Sequence, residues 1–110
     1  MCSSDLVVNL SLGSAGVCDA ASQATLDYAY SMGAVVVVAA GNDNAEAAAY
    51  TPAGCRHVIT VGATTAGGVR AAYSNYGTAV DVSAPGGDST IVGGIFSTYN
   101  KGTYTPAKSP

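Results

Sequence analysis

The chain has 110 residues, a formal charge of -3, 48% hydrophobic residues and only 10% charged ones, against about 25% charged in average soluble proteins; it makes at most one modest domain, whose many apolar residues expect covering neighbours. Its four Lys and Arg residues are not clustered, whereas nucleic-acid and anionic-membrane partners require clustered positive charge. The longest wholly apolar run, 34–40, falls far short of the ~20 residues of a membrane-spanning helix, and the opening Met-Cys-Ser-Ser-Asp-Leu lacks the basic and apolar regions of a secretory signal.

Residues 1–6 read as an artefactual leader, because Cys-Ser-Ser-Asp-Leu is also what one frame of a common sequencing adaptor encodes. Val7 to Leu12 is rich in β-branched and aliphatic residues and stops at Gly13, which predicts a buried strand. Asp19 can cap a helix over 19–32 whose Ala21, Ala24, Tyr28 and Met32 share one face, with Gly33 as a left-handed C-terminal cap. The apolar run from Ala34 to Ala40 predicts a strand covered on both faces, as in parallel sheets. Strand, helix and strand with short links imply a right-handed crossover. Gly41 to Arg56 reads as a functional loop, followed by a third strand over His57 to Ala63. Further short strands are expected at Arg70–Tyr73, Val80–Ser83 and Ile91–Ser97, between Gly-rich turns. The fold class is therefore α/β with a mainly parallel sheet, a flanking helix and Gly-rich loops.

In open parallel sheets the site lies at the carboxyl ends of the strands. Two segments qualify: Ser11-Leu12-Gly13-Ser14 and Ala39-Ala40-Gly41-Asn42-Asp43-Asn44. A carboxamide at Asn42, held at the end of a buried strand, can aim its N–H groups at charge forming in a cleft, and Gly41 lets a ligand approach the backbone. Loop asparagines also commonly satisfy turn backbone groups, so the spacing alone leaves both roles open.

Four blocks in order then point to a family: Val-Val-Asn-Leu-Ser-Leu-Gly; Val-Val-Val-Val-Ala-Ala-Gly-Asn-Asp-Asn; Thr-Pro-Ala-Gly-Cys-Arg-His-Val-Ile-Thr-Val-Gly-Ala-Thr; and Tyr-Ser-Asn-Tyr-Gly-Thr-Ala-Val-Asp-Val-Ser-Ala-Pro-Gly. From Val7 to Pro110 the chain resembles the middle of a subtilisin-like serine peptidase of the secreted bacterial branch, so that 7–110 read as a partial domain of the peptidase S8 type. The resemblance implies an endopeptidase hydrolysing peptide bonds outside the cell, with peptide or protein substrates and the rest of its own catalytic domain as partners. It assigns Asn42 as oxyanion donor, Ser11, Leu12 and Gly13 as backbone that pairs with an extended substrate, and Ala39, Ala40 and Gly41 as walls of an open specificity pocket. It also implies a cis bond at Thr51-Pro52 and a disulfide between Cys18 and Cys55, the latter consistent with an oxidising compartment; Cys2 belongs to the leader.

No Asp-Thr-Gly, His-Gly-Thr-His or Gly-Thr-Ser-Met-Ala segment occurs in the chain. On the family pattern the first two fall before Val7 and the third soon after Pro110, so the chain alone is expected to be inactive. His57 with Asp81 and Ser74 or Ser83 is rejected as a substitute triad, since the family pattern puts His57 at a strand edge and Asp81 in a structural block. No cofactor is required for this chemistry. The family commonly binds structural calcium, and no ligands are assigned, because Asp43, Asn44 and Glu46 lack EF-hand spacing. Asn9-Leu10-Ser11 is a glycosylation sequon only formally, being in a buried strand. The alternative function is a non-catalytic peptide-binding or structural module that keeps the cleft; an adhesive or carbohydrate-binding domain ranks third, because the seven Tyr are scattered.

Overall fold

The computed structural model describes residues 6–88 and residue 95. In chain order these form β1 (Val7–Leu10), β2 (Ser14–Ala15), α1 (Ala20–Ser31), β3 (Val35–Ala39), a 3-10 turn (Ala47–Ala49), β4 (Tyr50–Thr51), β5 (Ile59–Thr64) and β6 (Val82–Pro85). β1, β3, β5 and β6 make one sheet in the order β1-β3-β5-β6, and β2 pairs with β4 in a small second sheet.

Every pairing in the main sheet is parallel: Val7 with Val35, Val37 with Ile59 and Val61 with Val82 start the three ladders. All four strands therefore finish at the same edge. The β-branched residues that dominate them fit a pleated, buried surface. Val36 and Val38 turn toward α1 and are 3% and 1% exposed, packed with Leu26, Cys55, Val8 and Leu10. The opposite face is bare: Val7, Val35, Ile59 and Val82 are 64%, 44%, 38% and 52% exposed. Parallel sheets are almost always covered on both faces, so this apolar face lacks its natural cover among the described residues.

Helix α1 begins and ends as its sequence dictates. The Asp19 carboxylate accepts from the N–H groups of Ala21 and Ser22, each at 2.9 Å, and from the Ser22 hydroxyl at 2.7 Å. The Ser22 hydroxyl and then the backbone N–H groups hold its pKa below the usual carboxylate range. At the other end Gly33 has φ 83, and Gly33 N and Ala34 N donate to Tyr30 O and Ala29 O, the two bonds of a Schellman motif. The packed face differs from the expected one. Leu26 is buried and Ala29 packs against the core, while Tyr28 and Met32 are 67% and 51% exposed and Ala21 and Ala24 also face outward. Alanine and tyrosine on nearly every side leave the periodicity ambiguous, and the large aliphatic Leu26 decides the rotation.

Other boundaries shift for identifiable reasons. β1 stops at Leu10, and the 14–15 segment forms a separate strand. β5 starts at Ile59, because His57 takes φ 62, outside the strand region. The 41–56 loop is not structureless, since it holds the 3-10 turn and β4. Arg70–Tyr73 is not a strand: only Arg70 bridges, to Thr64, and the chain then turns with Ser74 N donating to Ala71 O. The expected 80–83 strand runs from Val82 to Pro85, because Asp81 instead clamps Thr60, giving its N–H to Thr60 O and accepting Thr60 N on its carboxylate at 2.8 Å. The 91–97 strand lies outside the described residues but for Ile95.

A polar clasp joins α1 to the segment before β5. Gln23 accepts Arg56 N at 2.9 Å and donates to Asp27 at 2.7 Å, Asp27 meets His57 Nδ1 at 2.9 Å, and the His57 ring stacks on Tyr30 at 4.1 Å between centroids. The Gln23 amide, then His57, lowers the Asp27 pKa from its ordinary 3.8. A carboxylate whose folded pKa is depressed contributes stability above its unfolded pKa and loses it as pH falls through the folded one. Thermal melts from about pH 5 to about pH 2 should therefore show a steeper acid loss in the native protein than in Asp27→Asn. Equal slopes would remove the clasp from the acid response.

Candidate active site

The carboxyl ends of β1 and β3 face each other across a cleft of about 340 Å³, lined on one side by Ser11, Leu12 and Gly13 and on the other by Ala39, Gly41 and Asn42. Ser11 to Ser14 and Ala39 to Asp43, singled out from the sequence for this site, lie on it, whereas Asn44 does not. Ala40 is also at the cleft, but it is 1% exposed and packs with Ala47 and Ala53, so it contributes floor rather than open wall. Asn42 is exposed and borders a second cleft, of about 400 Å³, over the ends of β5 and β6. Asn42 therefore borders both concave surfaces.

Tyr50, not foreseen from the sequence, closes the first cleft together with Thr51. β4 brings them there by pairing with β2, Ser14 opposite Thr51 and Ala15 opposite Tyr50. The Thr51-Pro52 bond is cis. The Asp43 carboxylate, also at the cleft, is hydrogen-bonded to the Tyr50 phenol and raises its pKa.

Residues 40–47 lie against 73–76 through main-chain bonds: Asn75 N to Gly41 O, Asn44 N to Tyr73 O, Tyr76 N to Ala45 O and Ala47 N to Tyr76 O, all 2.8–3.0 Å. The backbone of Gly41, Asn44, Ala45 and Ala47 is engaged on that side, and Asn42 among them lines both clefts. Gly41 has φ 108, and a Cβ there would run into Nδ2 of Asn75. Only glycine fits both constraints.

Model matching places residues 5–110 in the Subtilase family, peptidase S8. The chain belongs to the subtilase family. It is 48% identical over 103 residues to an extracellular protease of Xanthomonas campestris pv. campestris and 44% identical over 103 residues to an extracellular basic protease of Dichelobacter nodosus; each match covers 94% of this chain and 17% and 16% of those proteins. Among solved structures, a protease from Pseudoalteromonas arctica matches with a TM-score of 0.82 and 46% identity, over 92% of this chain and 31% of that one. The chain thus spans about a sixth of the length of the curated relatives it matches.

Within that subtilase frame the structure joins Cys18 to Cys55, with Cα atoms 5.2 Å apart. His57 is engaged with Asp27 and Tyr30, Asp81 with Thr60, and the Ser74 hydroxyl with Ala63 N and Asn75 O. Each of the three groups serves a different part of the scaffold. No three His, Cys, Asp or Glu side chains converge among the described residues, so no calcium ligands are assigned. No helix among them is long and apolar enough to cross a membrane.

Proposed function

We propose that the chain is an internal segment of a secreted subtilisin-like serine endopeptidase, to which it supplies the oxyanion donor Asn42 and one half of the substrate cleft. The observation that carries this reading is the convergence of 11–13 and 39–42 on one cleft, with Asn42 exposed at its rim. Attack on a peptide carbonyl places negative charge on its oxygen, and a fixed neutral N–H donor stabilises that charge without being consumed. Ser11 to Gly13 would pair with an extended peptide as an added strand. Beside them the cleft between Ala39, Gly41 and Tyr50 has room for a large apolar or aromatic side chain. The Ser, His and Asp of the triad would come from the rest of the catalytic domain, with His taking the Ser proton and Asp orienting His. The bare sheet face of Val7, Val35, Ile59 and Val82 supports this reading, since another part of that domain would cover it. Secretion is supported by the Cys18–Cys55 bridge and by the relatives named as extracellular proteases.

Two samples test the proposal. The 110-residue polypeptide, refolded under oxidising conditions, should hydrolyse no peptide above buffer. The complete protein encoded by the reading frame extended at both ends should cleave peptides and be labelled by a fluorophosphonate serine probe. Absence of labelling in that longer protein would overturn the enzyme reading in favour of a peptide-binding module.

A further inference from the structure

Asn75 is 1% exposed, yet it is polar and lies far along the chain from the cleft residues. A buried carboxamide is stable only when its donors and acceptors are met, and here all its partners lie in one loop. Nδ2 donates to Ala40 O at 2.9 Å, while Oδ1 accepts Asp43 N at 2.9 Å and Ala45 N at 3.0 Å. The Asn75 backbone N–H adds a bond to Gly41 O at 3.0 Å. One side chain thus grips the main chain on both sides of Asn42. It is itself anchored, because the neighbouring Ser74 hydroxyl accepts Ala63 N of β5 and donates to Asn75 O, both at 2.9 Å. Arg70 stacks over Tyr76 at 5.0 Å and bonds Ser74 O from the outer side.

We propose that Asn75 is the positioning residue of the oxyanion donor: through its carboxamide it fixes the 40–45 arc to β5 and so sets where the Asn42 amide points. This rests on the reading of Asn42 as that donor. Asn75 touches no substrate; it acts through the loop. The requirement is specific for a carboxamide. Aspartate keeps the acceptor for Asp43 and Ala45 but places an oxygen against Ala40 O, and serine is too short to reach both sides.

The test is a double-mutant cycle in the complete protease, with rates expressed per active site titrated by a fluorophosphonate, so that only folded enzyme is counted. Asn75→Asp is the first variant and Asn75→Ser the second. Misplacement of a catalytic group by about 1 Å can cost about a hundredfold, so kcat should fall on the order of 10- to 100-fold with KM changed by less than about twofold. In the Asn42→Ala background the same substitutions should lower kcat by less than about twofold, because the group they misplace is gone. An equal fall in both backgrounds, or no fall in either, overturns the positioning role while leaving Asn42 as donor. Asn42→Ala without effect on kcat overturns the donor reading, and the positioning role with it.

Discussion

Asn42→Ala in the complete protease is expected to lower kcat by about 10²–10³, a magnitude taken from subtilisin itself and not from this chain, with KM close to its original value. The donor is needed most when the carbonyl oxygen becomes an oxyanion, so its loss weakens the transition state more than the bound substrate. Stability should hardly change. Asn42 is exposed, and the bonds that shape its loop are made by the main chain and by Asn75; surface substitutions away from such contacts usually lie within about 0.5 kcal/mol. Steady-state kinetics beside a thermal melt separate the two effects. Loss of turnover with an unchanged melt supports the donor role. Unchanged turnover would reduce Asn42 to a loop residue.

The cleft was legible because its parts are contiguous in sequence: each half is a strand end followed by a small-residue loop, and both ends of a parallel crossover fall at the same edge. Asp19 and Gly33 likewise announced the helix, since capping is local chemistry. What escaped depends on distant partners. Asn75 stands in a Tyr-Ser-Asn-Tyr-Gly turn, and nothing within that pentapeptide says that its carboxamide serves a loop more than thirty residues earlier in the chain. The one available signal was indirect, a glycine at position 41 that must make room for a neighbour. Tyr50 was hidden for a similar reason: β4 has two residues and exists only because β2, also two residues long, pairs with it. The helix face was misjudged because four alanines and two tyrosines offer several nearly equal stripes, and tertiary contact with Val36 and Val38 chose among them.

Removing the Cys18–Cys55 bridge should have the largest effect on stability. The cysteines are 37 positions apart, and the chain-entropy treatment of a loop of that size gives about 4 kcal/mol. Total domain stability is commonly about 5–15 kcal/mol, so this is a large share of it. The paired variant Cys18→Ala with Cys55→Ala is the right comparison, because Cys55 is buried with Leu26, Val36 and Val38 and alanine adds no polar atom there. Urea unfolding of the complete, phosphonate-inhibited protease should show the midpoint falling by the equivalent of that energy. Part of the loop would still be held by the Gln23, Asp27 and His57 clasp, which ties the same helix to the same segment next to Cys55. A loss below about 1 kcal/mol would mean that residual structure in the unfolded chain already keeps the two ends of this loop close without the bridge. A loss near the full value would mean that the bridge acts mainly by restricting the unfolded chain, as the chain-entropy treatment has it.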